Sequence, residues 1–145
     1  VLTKSDCNET GKYVYDILRQ HNLAIIKLQG MMNVKIQDVP FCTVDWCQIK
    51  PTVHPGITGE AYWRTFEMGN IRVRMVEYSP AYFADHWCKR GHVLFVLDGE
   101  LVTELEDGRE FTLTSGMSYQ VAEGSSPHRS HTEKGCQAFH CRLTL

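Results

Sequence analysis

The chain has 145 residues, 43% of them hydrophobic, and carries 15 Lys and Arg against 17 Asp and Glu, a formal net charge of −2 at pH 7. That length suits one domain rather than two, and the near-balanced charge gives no electrostatic drive toward nucleic acid or an anionic membrane. No apolar run approaches the roughly 18 to 20 residues of a membrane-spanning helix. The six cysteines are too sparse for a small disulfide scaffold.

Val1 to Gly11 is polar and has no apolar core of a secretory signal. Reduced thiols and a cytoplasmic location are therefore expected, with pairing of Cys42 or Cys47 to the late cysteines left open. Lys12 to Gln20 has apolar positions at helical spacing, with Asn8 or Thr10 as a cap, and Ala24 to Leu28 could extend it or form a strand. Gly30-Met31-Met32 breaks this pattern. Residues 1–31 read either as an extension upstream of a domain spanning 32–145 or as a helix docked on that domain.

From Val34 onward the pattern is short β-type runs with turn punctuation. Val34 to Ile36 is the first, and Pro51, Pro55, Gly56 and Gly59 mark a loop. Tyr62 to Glu67 and Ile71 to Tyr78 flank Met68-Gly69-Asn70 as a hairpin, and His92 to Leu97 and Glu100 to Glu106 flank Asp98-Gly99 as a second. Asp107-Gly108 leads into Arg109 to Leu113, Ser115-Gly116 into Met117 to Val121, and Gln137 to Leu145 closes the chain. Some eight strands with these turn signals predict an all-β sandwich or barrel. One strand is apolar on both faces: His92, Leu94 and Val96 point one way, Val93, Phe95 and Leu97 the other. Its outer face should be covered by the N-terminal segment or by a second subunit, and a homodimer is expected.

The chemistry concentrates in Asp85-His86-Trp87-Cys88-Lys89-Arg90-Gly91-His92. On a strand, His86 and Cys88 share one face, with Asp85 and Trp87 on the other. His92 follows after a short turn, and His128 from a different hairpin could close the cluster. Imidazole and thiolate donors suit zinc, iron, copper or nickel rather than magnesium or calcium. Cys88 could instead be a buried hydrophobe. His131 could stand behind the ligands or on the surface, and His140 could point in or out. His54 and His21 are expected in solvent. Arg72 and Arg74 share a face with Val76 and Tyr78. Pointing inward, that face would favour a carboxylate-bearing ligand, but the opposite apolar face, Ile71, Val73 and Met75, is the expected inner one. Arg129 and Tyr119 are candidate rim residues, and Glu77, Tyr119 or His131 could act as general acid or base.

These residues resemble the cupin superfamily, whose first motif runs G-x5-H-x-H-x3,4-E-x6-G and whose second runs G-x5-P-x-G-x2-H-x3-N. The first becomes His86-x-Cys88-x3-His92-x6-Gly99, with Cys88 at the second histidine, His92 at the glutamate and Pro80 at the opening glycine. In the second, Gly116 and Gly124 are in place, Ala122 replaces the proline, and His128 arrives one residue late. Asp85-His86-Trp87-Cys88 also looks like the D-H-C-W motif of a group of small single-domain cupins, with the last two residues exchanged. The resemblance covers roughly Val34 to Leu145. It implies a double-stranded β-helix, or jelly-roll, barrel behind an N-terminal extension, often dimeric, with His86, Cys88, His92 and His128 as metal ligands. The softer donor set favours zinc, with iron, copper or nickel as alternatives, over iron or manganese dioxygenase chemistry. A metal-dependent enzyme acting on a small polar molecule is expected, with a non-catalytic small-molecule, metal or redox-sensing module as the alternative.

Overall fold

The computed structural model describes residues 35–144. The proposed N-terminal helix, His21, Cys7 and the boundary near residue 31 lie outside the described residues. Lys35 and Ile36 are not in a strand, so the short run expected at Val34 to Ile36 does not form across them. A one-turn 3-10 helix at Trp46–Gln48 is capped by Asp45, whose carboxylate accepts from the Cys47 amide at 3.0 Å.

Nine antiparallel strands follow: β1 (Thr52–Pro55), β2 (Glu60–Met68), β3 (Ile71–Tyr78), β4 (Tyr82–Phe83), β5 (His92–Leu105), β6 (Glu110–Thr114), β7 (Ser118–Val121), β8 (His128–Thr132) and β9 (Cys136–Leu143). They form two sheets that share β5. Its first half pairs with β7 and β9, continuing through β3 and β2 to β1, and its second half pairs with β6 and β8, continuing to β4. The result is a jelly-roll barrel, as expected.

The β2–β3 hairpin turns at Gly69-Asn70, with Met68 opposite Ile71. The second expected hairpin is absent: β5 runs straight through Asp98-Gly99 as one strand of 14 residues. A bulge between Val96 and Asp98 bends it from one sheet into the other. Gly99 takes φ +81 there, and a Cβ at that position would lie 2.5 Å from the Gly135 carbonyl oxygen. Positive φ at a glycine thus serves a sheet-switching bend rather than a turn. Thr52–Pro55, read as loop, is an edge strand, its terminal proline at the position where a missing N–H is tolerated.

Leu94, Val96, Leu101, Leu113, Cys136 and Ala138 fill the barrel interior at one end, and Ala61, Val76 and Tyr82 fill it beside Trp63, with Tyr78 packed against both groups. Phe95, Val93 and Leu97 stay 37–42% exposed on the outer face. Among the described residues, Cys42, Cys47, Cys88, Cys136 and Cys141 are free thiols, and no helix is long and apolar enough to cross a membrane.

Candidate metal centre and its cavity

Three donors converge at one end of the barrel. Cys88 and His128 are joined by a two-way backbone bridge, Cys88 N–H to His128 O at 2.7 Å and His128 N–H to Cys88 O at 3.0 Å. His92 opens β5 beside them. The Cys88 sulfur and one ring nitrogen each of His92 and His128 all lie within 4.8 Å of one another.

The ring orientations follow from the backbone. His92 Nδ1 is 2.9 Å from the Arg90 carbonyl and His128 Nδ1 2.9 Å from the Ser126 carbonyl. A carbonyl only accepts, so each Nδ1 carries the hydrogen and each neutral ring presents a bare Nε2 lone pair. Those two Nε2 atoms face each other at 3.3 Å. Two lone pairs aimed at one point call for a cation between them, either a shared proton or a metal ion. Backbone carbonyls behind ligating imidazoles are the usual supporting arrangement in metal sites. The donor set therefore fits a transition metal.

The electrostatics agree. Burial would raise the Cys88 thiol, but with no metal bound a second proton taken up on the imidazole side, with His128 raised by the same contact, lets the rings donate to the sulfur. Those bonds and the Arg90 backbone bring the thiol pKa down to about 5, so a thiolate prevails at neutral pH. Burial pulls His128 down, yet the Cys88 and Ser126 hydrogen bonds raise it on balance. Tyr119 is pushed well above its ordinary value, chiefly by burial. Its hydroxyl lies 2.9 Å from His92 Nε2 and must donate to that lone pair. His140 packs against His92 with ring centroids 4.1 Å apart. Burial, and then the His92, Arg74, Arg142 and His128 charges, lower it to about 2, so it stays neutral.

Of the four expected ligands, the structure thus brings Cys88, His92 and His128 together. His86 lines the cavity but stands outside the donor group; its Nδ1 is 2.6 Å from Asp85 on an exposed bend. Residues 85–86 form a bend rather than a strand, which brings Asp85 against His86 instead of opposite it, while His86 and Cys88 both line the cavity. Trp87 packs under the guanidinium of Arg129, 4.4 Å from its ring centre. Arg129 itself is held by Glu104 at 2.9 and 3.1 Å.

Other expectations shift. His131 faces away from the metal centre, edge-on to Phe83. Glu77 lies exposed on the outer face opposite Tyr62, so neither can serve as acid or base in this cavity. Tyr119 points inward, not to the rim. His54 is half-buried and stacked on Trp63 at 3.7 Å rather than solvated. The arginine face of β3 is the inner one: Arg74, Val76 and Tyr78 line the cavity, while Val73 and Met75 face outward. His140 was legible only in alternation with its strand neighbours, since Cys136, Ala138, His140 and Arg142 share the inward face of β9.

The cavity has a volume of about 120 Å³, and its lining includes Trp63, Arg74, Tyr119, His140 and the three donors but no Asp or Glu. It is smaller than the roughly 300–1,000 Å³ typical of drug-sized ligands and suits a molecule of a few heavy atoms.

No protein-family model matches the chain, and no curated protein matches it in sequence. Solved structures do match in fold. The polyketide cyclase RemF from Streptomyces resistomycificus aligns at TM-score 0.63 and 19% identity over 73% of this chain and 81% of its own. A predicted oxalate decarboxylase from Thermotoga maritima aligns at TM-score 0.60 and 14% identity, covering 72% of this chain and all (100%) of its own. A cupin-superfamily sugar phosphate isomerase from Silicibacter pomeroyi aligns at TM-score 0.58 and 15% identity over 72% and 76%.

Proposed function

We propose that this chain, a small protein of cupin fold, is a metal-dependent enzyme acting on a small polar molecule in the barrel cavity, with Cys88, His92 and His128 as the metal's protein donors. The observation that carries this is the pair of Nε2 lone pairs converging at 3.3 Å beside the Cys88 sulfur, with each opposite ring nitrogen fixed by a carbonyl. One thiolate and two imidazoles favour zinc, with iron, copper or nickel as alternatives. Three protein donors leave room for substrate or water. When bound, such an ion supplies Lewis acidity.

The chain's own residues orient and exclude. Tyr119, protonated throughout the physiological range, holds a hydroxyl hydrogen against His92 Nε2. His140 stays neutral and closes the wall beside it. With no carboxylate on the cavity lining, proton transfer falls to Tyr119, to His86 or to the substrate itself. The matched structures include an isomerase, a cyclase and a predicted decarboxylase, so the fold does not choose the reaction. The free thiols suit a reducing compartment such as the cytoplasm. The exposed apolar face around Phe95 suits a homodimer contact.

The second reading, a sensing module without turnover, is favoured by the thiolate character of Cys88. Elemental analysis of purified protein tests the first. About one transition-metal ion per chain, lost in His92→Ala/His128→Ala, is expected; a protein that takes up none of these ions sinks the metal reading. Mild peroxide that abolishes metal binding reversibly, in a protein without turnover, would favour the second.

A further inference from the structure

Arg74 sits on the inner face of β3 and lines the cavity. Its Cζ lies 4.1 Å above the centre of the Trp63 ring, and its Nε donates to Thr65 Oγ1 at 3.2 Å. Among the described residues, Arg72, Arg90, Arg109 and Arg129 each have a carboxylate partner: Glu67, Glu123, Asp107 and Glu104. Arg74 has none. Its nearest charged neighbours include Arg72 and Arg142, and burial first, then those two cations, lower its pKa to about 10. It remains a cation at neutral pH, and among the described residues no carboxylate pairs with it, Glu67 acting only through its charge.

The polar atoms around it are also without partners. Among the described residues, four buried side-chain nitrogens lack a hydrogen-bond partner, and three of them, Trp63 Nε1, His140 Nδ1 and Arg142 Nε, flank Arg74. Trp63 lies beneath it, His140 is its cross-strand partner on β9, and Arg142 is one inward position further along. Trp63 Nε1 and Arg142 Nε can only donate. Buried donors left unpaired are uncommon in native proteins and ask for an explanation, of which an absent acceptor is one. Here one fixed donor, Trp63 Nε1, and one guanidinium without a carboxylate partner lie on a cavity lining that holds no carboxylate, with Arg142 just beyond it on the same face of β9.

We propose that Arg74 is the anchor for the carboxylate of a small carboxylic-acid substrate, with Trp63 as the flanking donor. This deepens the reading of the cavity as a substrate site and rests on it. A planar guanidinium, stacked on an aromatic ring that fixes its plane, matches a planar carboxylate through two parallel N–H···O bonds. A single anionic charge balances the one unpaired guanidinium on the cavity lining. His140, in contact with both Arg74's strand position and His92, separates this end from the Cys88–His92–His128 donors by one ring. A molecule of a few atoms bound at Arg74 therefore presents its far end to the metal centre.

The test titrates the full chain, metal-loaded and chelator-stripped, with acetate, glycolate and malonate, against neutral acetamide and inorganic phosphate, reading affinity by ligand-observed NMR. Carboxylates are expected to bind both forms, acetamide to bind neither, and Arg74→Gln to weaken the carboxylates at least tenfold with metal content unchanged. Equal binding of acetamide, carboxylate affinity indifferent to Arg74→Gln, or binding of phosphate alone would overturn the proposal. Should Arg74→Gln fail to fold, Trp63→Phe keeps an aromatic face under Arg74 and removes the Nε1 donor. A severalfold weakening there supports the proposal, and unchanged affinity overturns it. A protein that takes no metal yet binds carboxylates through Arg74 defeats the metal reading alone. One that holds metal and ignores carboxylates defeats this one alone.

Discussion

His92 and His128 meet through their Nε2 atoms at 3.3 Å, each ring locked by an Nδ1–H bond to a carbonyl two residues earlier in the chain. The carbonyls of Arg90 and Ser126 thus decide which nitrogen each ring offers, and the Cys88–His128 bridge decides where. Removing either ring leaves two donors, too few to hold a divalent ion tightly against chelators. His92→Ala and His128→Ala are each expected to lose bound metal on dialysis against a chelator, while His86→Ala keeps it. Elemental analysis after dialysis checks this, and metal loss from His86→Ala would add His86 to the ligand set.

The low pKa of Cys88 has a direct optical readout. In metal-free protein, thiolate absorbance near 240 nm is expected to include a step with a midpoint near pH 5, where the thiol titrates. That step should vanish in Cys88→Ser. The sign for stability follows from a depressed acid. The contribution is fully present above the ordinary thiol value of 9.0, declines as pH falls, and is gone once pH drops below about 5. His128, raised by the same contact, works in the opposite sense: its contribution is present below 6.5 and is lost as pH rises through its folded value. Denaturant melts of Cys88→Ser against the parent across pH 5 to 9 separate the two.

Gly99 carries the bend that lets one strand serve both sheets. At φ +81, with the Gly135 oxygen 2.5 Å from any added Cβ, alanine meets both a strained dihedral and a backbone clash. Gly99→Ala is expected to destabilise the protein by about 2 kcal/mol or more, measured as a shift in urea midpoint at unchanged slope.

The limits of the sequence lie in particular residues. Gly69-Asn70 announces its hairpin because a two-residue turn is a local event. Asp98-Gly99 sends the same local signal, and only the distant partners β6, β8 and β9 make it a bulge instead. Strand β8 escapes notice because its inward residues, His128, Ser130 and Thr132, are polar, so no apolar alternation marks it. Ser130 is accommodated by a buried hydroxyl pair with Thr103 at 2.9 Å. The inward turn of Arg74 is masked by the reverse effect: Val73 and Met75 face away from the cavity on a side of the sheet that is itself apolar, where Val73 is buried.

That outer face makes its own prediction. Val93 and Phe95 stand about two-fifths exposed on β5, beside Phe139 and Cys141 on β9. Part-exposed apolar side chains side by side on one sheet face suit a contact with a second copy. Light scattering on the full chain is expected to give the mass of two copies, and Phe95→Asp to give one. A monomeric parent would end the dimer proposal.

Tyr119 competes with the metal for a single lone pair. Its hydroxyl, 2.9 Å from His92 Nε2, has to donate, since burial keeps the phenol protonated and Nδ1 of His92 already holds that ring's hydrogen. A metal on His92 must displace this bond and leave the hydroxyl free to turn toward whatever occupies the cavity. Tyr119→Phe removes the competitor while keeping the ring that packs 5.4 Å from His92 and 5.5 Å from His128. Metal affinity is therefore expected to rise severalfold, as one hydrogen bond of about 1 kcal/mol no longer opposes binding. Turnover of any substrate should fall, because the displaced hydroxyl is a proton donor held beside the metal's ligands. Competition with a chromophoric chelator measures the first effect. A Tyr119→Phe protein that binds metal more weakly would show the hydroxyl supporting the bound ion instead of opposing it.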